Sequence, residues 1–276
     1  MIALFASDFT SKIRTHRYPF ALTATKYLNM SVEQTELRSK FIQDALQAGA
    51  LKFGEFTLKS KRISPYFFNA GLLCTGPLLS SLAESYAALI AAEFTHNSEP
   101  TFDVLYGPAY KGIPLAAATA LTLFSPPPNS SRPSISTSFA YNRKESKDHG
   151  EGGTLVGASL AGKRVLVLDD VITAGTAVRE ALDAVRSAGG IVVGVVIALD
   201  REEVPPGGTG STMDDVEAEI VQRAGAWQGQ GVEIVGVPKV RAAVRMRDLV
   251  VWLEAQGRME DVAKMKAYRE QYGVKE

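Results

Sequence analysis

Residues 165–176 read Val-Leu-Val-Leu-Asp-Asp-Val-Ile-Thr-Ala-Gly-Thr, and no other stretch constrains the fold so tightly. An unbroken apolar run suits a strand covered on both faces, which places helices on both sides of a sheet. Two adjacent carboxylates, Asp169 and Asp170, close the run, and a small-residue turn feeds a helical pattern over about 176–188. In open α/β sheets, ligands sit beyond the carboxyl ends of the strands. A turn of small residues there lets backbone N–H groups converge, and the following helix adds the positive end of its dipole, so an anion fits. Paired carboxylates suit the neighbouring hydroxyls of a sugar. They also suit a carbon that gains positive charge as a leaving group departs. A nucleotide P-loop does not fit, because the Gly-Lys-Ser/Thr ending is missing. A phosphoacceptor pair or simple loop caps are the competing readings.

The rest of the chain has the alternation such a sheet needs. Ser31-Val-Glu-Gln34 has capping-box spacing and predicts a helix over about 32–48, with Leu37, Phe41, Ala45 and Leu46 on its apolar side. Strands are expected at 53–58 and 66–69, and Pro77 opens a helix to about Phe94. Further strands are expected at 103–106, 135–141, 164–168, 191–199 and 232–235. Helices are expected at 114–123, 176–188, 214–224, 248–256 and 258–271. Residues 126–134 (PPPNSSRPS) read as a turn-rich surface insert, and 205–211 (PPGGTGS) as a mobile loop. The expectation is one α/β domain over 31–256, a parallel sheet flanked by helices, with a C-terminal helix in 257–276.

Charge narrows function. Lys plus Arg equals Asp plus Glu at 30 each, so a non-specific nucleic-acid binder is not expected. One cysteine, Cys74, excludes an intramolecular disulfide and a cysteine-rich zinc site. No apolar run approaches the roughly 18–20 residues that cross a bilayer. A cytoplasmic location is the expectation. Residues 1–29 carry Lys12, Arg14, Arg17 and Lys26 against Asp8, a transit-peptide-like composition. The expectation over 1–30 is nonetheless an extension without structure, or one upstream of a start at Met30, with a transit peptide as the alternative.

Two other segments carry chemistry. Within Tyr141–Gly153, Arg143, Lys144, Lys147 and His149 crowd together before Gly150, Gly152 and Gly153. A glycine-rich cationic loop can close over an anion, exclude water and neutralise a leaving charge. His149 has a reference pKa near neutrality and suits proton donation. The other segment, Leu58-Lys-Ser-Lys-Arg-Ile-Ser-Pro-Tyr-Phe-Phe-Asn69, pairs a cationic turn with two phenylalanines, either core residues or a wall for a flat base.

The Asp-Asp turn resembles the phosphoribosyl pyrophosphate (PRPP) motif of type I phosphoribosyltransferases. The Leu58–Asn69 segment resembles specifically that of orotate phosphoribosyltransferases in their monofunctional form, since the chain lacks room for a second barrel of about 250 residues. The resemblance covers roughly 31–256 and implies the family's fold, with a small hood formed largely by 31–75 and a C-terminal strand. It implies PRPP contacts from Lys59, Tyr110, Lys111, Arg143, Lys144, Lys147, His149, Asp169 and Asp170. The turn Val171, Ile172, Thr173, Ala174, Gly175, Thr176 and Ala177 would contact PRPP too. Catalytic roles fall to Lys111, Arg143, Lys147, His149, Asp169 and Asp170. Orotate contacts fall to Phe67, Phe68, Thr173 and Arg201, with Arg201 taking the orotate carboxylate. The resemblance also implies Mg²⁺ carried mainly by PRPP, and a homodimer with shared sites in which Lys144 acts in trans. Lys61, where the family usually has Gly, is a departure. A transferase for another base, or a non-catalytic PRPP-binding regulator, are the alternatives.

Overall fold

The structure is a computed structural model that describes residues 20–147, 153–173, 175–225 and 232–275; for 20–31, 146, 147 and 153 it describes the backbone alone. Helix α1 (Phe20–Gln47) starts well before the expected residue 32. No Gly or Pro interrupts 20–48, so the capping-box pattern at Ser31–Gln34 falls inside a continuous helix. Such a pattern marks an end only where the preceding chain leaves the helix. The remainder of the expected N-terminal extension, residues 1–19, lies outside the described residues.

Strands β1 (Leu51–Thr57) and β2 (Ile63–Phe68) form an antiparallel hairpin. Its turn is closed by the Leu58 N–H on the Arg62 carbonyl and the Lys61 N–H on the Leu58 carbonyl, both at 2.9 Å. Lys61 sits at φ +68°, a left-handed conformation that favours Gly. Helix α2 (Gly76–Glu93) opens with Pro77, followed by the two-residue strands β3 (Thr95–His96) and β4 (Glu99–Pro100). Then come β5 (Val104–Gly107), α3 (Gly112–Phe124), β6 (Ser138–Lys147), β7 (Gly153–Gly157), β8 (Arg164–Val171) and α4 (Thr176–Ser187). The last elements are β9 (Ile191–Asp200), α5 (Thr212–Gly225), β10 (Lys239–Arg245), α6 (Met246–Ala255) and α7 (Met259–Tyr272).

The six-stranded sheet has the order β10-β9-β8-β5-β6-β7, parallel throughout except for the antiparallel β6–β7 pair. Two expectations need correction. Residues 232–235 form no strand, and the outer position on that side belongs to β10. Arginines interrupt its apolar pattern, so it becomes a strand by registering Val240 on Val195 and Ala242 on Ile197. Strand β7, only Thr154-Leu-Val156 between two glycines, is too short to stand out in the sequence and is fixed by its antiparallel pairing with β6.

The central strands are buried on both faces, as their unbroken apolar runs require. Leu166 and Leu168 join a core with α1, α2, α3, α6 and α7, while Val165 and Val167 join another with α4 and α5. An extra residue near Val193 shifts the β8–β9 register, and Gly194 follows because a Cβ there would lie 2.3 Å from the Phe94 ring. The 126–134 insert is anchored rather than loose. Arg132, 6% exposed, pairs with Glu33 of α1 at 3.1 Å and with Glu84 of α2. The β1–β2 hairpin is a separate two-stranded sheet; the C-terminal strand expected beside it is absent among the described residues, where helix α7 packs on β2 instead.

Candidate active site

Strand β5 has β6 on one side and β8 on the other, and the chain winds outward from that junction in both directions. This is the topological switch point, where an open sheet leaves a crevice at its carboxyl edge. Four adjacent strands end there. Strand β5 delivers Tyr110 and Lys111, β6 carries Arg143, Lys144 and the Lys147 backbone, β8 ends in Asp169 and Asp170, and β9 leads into Arg201.

The loop after β5 is folded tightly. A Cβ on Gly107 would lie 2.1 Å from the Gly112 carbonyl, and one on Gly112 would lie 2.7 Å from the Leu168 carbonyl. Only glycines allow the loop to press against the end of β8. The Ala109 N–H donates to Asn142 Oδ1 on β6 at 2.9 Å. Tyr110 is thereby left 66% exposed, and the half-turn beyond it directs Lys111 Nζ to Asp170 Oδ2 at 2.7 Å. Lys144 Nζ lies 5.2 Å from the Tyr110 ring centroid of its own chain, a cation–π contact.

Asp169 is buried and Asp170 half-buried. Asp169 Oδ1 accepts the Asp170 N–H at 2.9 Å, and the Tyr86 hydroxyl donates to the Asp169 carbonyl at 2.7 Å. Burial first, then the adjacent Asp170 charge, pushes the Asp169 carboxyl up to about 6, against the pull of Lys111. Ile172 is buried, Val171 half-buried, and Thr173, Thr176 and Ala177 are exposed around the start of α4. Gly175, at φ +77°, is the N-cap of that helix. The N–H groups of the first helical turn lack intrahelical acceptors, and no acidic side chain occupies it. Arg179 and Thr212 pack against Gly175, where a Cβ would lie 2.6 Å from the Arg179 guanidinium.

The hood meets β9 through Arg201, whose Nη2 donates to Ser64 Oγ at 2.9 Å while the guanidinium stacks 4.4 Å over the Tyr66 ring. The two phenylalanines do not share a face. Phe67 is 41% exposed and packs on Phe56, while Phe68 turns the other way against Phe41 and the core. Neighbours in a strand must diverge in this way. Ser64, Tyr66 and Phe68 therefore form the face that reaches Arg201. Lys59 is exposed in the hairpin turn. His149 and Ala174 lie outside the described residues, as does the Lys147 side chain. The sequence reading assigned no role to Asn142, Tyr86, Arg62 or Glu203. Tyr86 left one usable trace, as the lone aromatic residue among the Ala, Leu and Ser of α2.

A sheet with its phosphate-ready turn and paired carboxylates at the switch point defines a class. The family model for the phosphoribosyl transferase domain matches residues 81–206. The chain is 49% identical to the orotate phosphoribosyltransferase of Acinetobacter baumannii (strain ACICU), over 85% of this chain and 95% of that protein. To the protein of the same name from Thioalkalivibrio sulfidiphilus it is 47% identical, over 86% and 98%. The crystal structure of the Francisella tularensis orotate phosphoribosyltransferase superposes with TM-score 0.67 at 36% identity, over 85% of this chain and all of that one. The chain belongs to the orotate phosphoribosyltransferase family.

Proposed function

We propose that the chain is a pentosyltransferase that moves the 5-phosphoribosyl group of PRPP to N1 of orotate. The products are orotidine 5′-phosphate and pyrophosphate, a step of de novo pyrimidine (UMP) biosynthesis. The observation that carries this reading is the Asp169–Asp170 pair, set between Lys111 and the open N-terminus of α4.

The 5′-phosphate binds at the start of α4, with hydroxyls from Thr173 and Thr176 and backbone N–H groups over 171–177. Asp169 and Asp170 accept the ribose hydroxyls and face the carbon that becomes electron-poor. Lys111 holds Asp170 until the diphosphate arrives and then turns to it, joined by Lys59, Tyr110, Arg143, Lys147 and His149. The bond from C1′ to the diphosphate oxygen breaks with its electron pair leaving on pyrophosphate, and orotate N1 bonds to C1′ with inversion, its N1–H proton being given up and carried off on the pyrophosphate. Catalysis is positioning and electrostatic stabilisation of an oxocarbenium-like state. Arg201 takes the orotate carboxylate, and the pyrimidine meets the Phe68 face of β2.

Two neighbouring carboxylates, one only half-buried, fit a hard cation that arrives on the diphosphate. Asp169 and Asp170 would help hold such an Mg²⁺, and the ion would supply neutralisation of the leaving charge. A homodimer with Lys144 acting in trans accords with the exposure of Lys144 and Tyr110, and of Leu121 and Phe124 on α3. The division into a hood over 31–75 and a core accords with the separate β1–β2 sheet. Among the described residues no helix is long and apolar enough to cross a membrane, which accords with a cytoplasmic enzyme.

Loss of orotate absorbance with PRPP and Mg²⁺, run beside uracil and adenine, tests the reading. Orotate is expected to be consumed and the other bases left. Turnover of another base in its place, or PRPP binding without pyrophosphate release, would overturn it.

A further inference from the structure

The corner after β9 is built around a charge imbalance. Arg201 is almost buried, its side chain 11% exposed, and its guanidinium lies against Glu203 Oε1 at 2.7 Å. Glu203, 13% exposed, also faces Arg62 Nη1 at 3.5 Å. One carboxylate therefore serves two guanidiniums. The nearby acids are engaged elsewhere. Asp200 Oδ1 accepts the Glu202 N–H at 2.8 Å and its carboxylate faces the charges of Arg245 and Arg247, while Glu202 pairs with Arg247, accepting that residue's backbone N–H at 2.9 Å. Beneath Arg201 lies the ring of Tyr66, whose buried hydroxyl has no hydrogen-bond partner.

Arg62 is held as firmly as Arg201. It sits in the hairpin turn, donates to the Val204 carbonyl at 2.7 Å and stacks 4.6 Å over the Tyr272 ring of α7. The C-terminal turn locks the same corner. The Val204 N–H donates to the Tyr272 carbonyl and the Val274 N–H to the Glu202 carbonyl, both at 2.9 Å. The distances of Glu203 to its two partners are unequal, yet both partners are nearly out of water, where charge is weakly screened. A buried cluster with an excess positive charge is unfavourable until an anion joins it.

We propose that Arg62 is a positioning residue of the base site: by sharing Glu203 it leaves Arg201 incompletely neutralised, so that the cluster takes a monoanionic planar carboxylate. Glu203 orients Arg201 over Tyr66, and the substrate carboxylate completes the charge balance. A base without a carboxylate gains nothing there. This inference rests on the orotate reading above, and it adds that affinity for the carboxylate depends on a residue of the hood turn that need not touch the substrate.

Steady-state kinetics with orotate and PRPP, beside thermal melts, tests it. Arg62→Gln is expected to raise the orotate KM about tenfold, the scale of one charge-assisted contact, with kcat and the PRPP KM changed less than about twofold. Arg62→Lys keeps the charge and is expected to stay near the wild type. Adding Glu203→Gln to Arg62→Gln restores the single excess charge and is expected to recover most of the orotate affinity. An unchanged orotate KM in Arg62→Gln, an equal rise in both KM values, or a Lys variant as impaired as the Gln variant would overturn the proposal. If Arg62→Gln does not fold, Glu203→Gln alone reads the same charge balance from the other side, because it leaves both guanidiniums uncompensated. Its orotate KM is expected at or below the wild-type value, and a rise of about tenfold would overturn the proposal. A wild-type protein that does not consume orotate would instead sink the functional reading, which keeps the two failures apart.

Discussion

Strands β8 and β9 are neighbours, and each runs out of the core into acidic sequence, Asp169-Asp170 in one and Asp200-Arg201-Glu202-Glu203 in the other. Their surroundings differ sharply. Beyond β8 one exposed lysine holds one carboxylate, and the turn ends on a helix whose first N–H groups are open. Beyond β9 the acids are tied to the backbone or to Arg62, Arg201 and Arg247, and the C-terminal turn is bonded along the same segment. One strand end is built to exchange partners and the other to hold still. On the proposed function chemistry falls at the first, because groups that must bind charge in a transition state cannot already be neutralised. Orientation belongs at the second, because a rigid guanidinium loses little freedom when a carboxylate docks.

Substitutions at the two ends should separate accordingly. Asp169→Asn is expected to lower kcat by about a hundredfold or more, the scale of lost electrostatic stabilisation. Its melting temperature should hold or rise, since a neutral group replaces a carboxyl that burial disfavours. A matched fall in stability and turnover would erase the contrast. Glu202→Ala should do the reverse. Glu202 is 8% exposed and accepts the Arg247 N–H, so its loss is expected to cost about 2 kcal/mol of unfolding free energy by denaturant titration, with both KM values nearly unchanged.

The pH dependence sharpens the same comparison. The Asp169 pKa in the fold is about 6, above its ordinary 3.8, so the folded chain binds more protons than the unfolded chain between these values. Stability associated with neutral Asp169 is present at low pH and is lost as pH rises through about 6, while the ionised form that accepts the ribose hydroxyls appears. An acid limb in kcat/KM for PRPP is expected there. Asp170→Asn should move that limb to lower pH, because the Asp170 charge is, after burial, the largest cause of the rise. A limb that stays in place in the variant would assign it to another group. The smallest effect lies in the hood turn. Lys61→Gly relieves a left-handed backbone worth about 1 kcal/mol, offset in part by the freedom Gly gains on unfolding, so a rise of a degree or so in melting temperature is expected.

Much of the site was legible because its chemistry is local. The run from Val165 to Thr176 contains its own strand, carboxylates, turn and helix start. Those relations span a few residues, and backbone geometry alone decides them. Long-range features were not legible. Strand β10 depends on pairing with β9, and the length of α1 was obscured by a capping pattern that the preceding helix overrides. Phe67 and Phe68 read as a pair, but strand alternation sends them to opposite faces.

The chain by itself determined that a buried strand ends in two carboxylates before a helix, and that cationic residues crowd into one turn and one loop. Only the tertiary structure decided that Lys111 reaches Asp170 across 59 positions and that Arg201 reaches Ser64 across 137. Ion pairs and shared burial arise where strands from distant parts of the chain end side by side, and linear spacing holds no record of that neighbourhood.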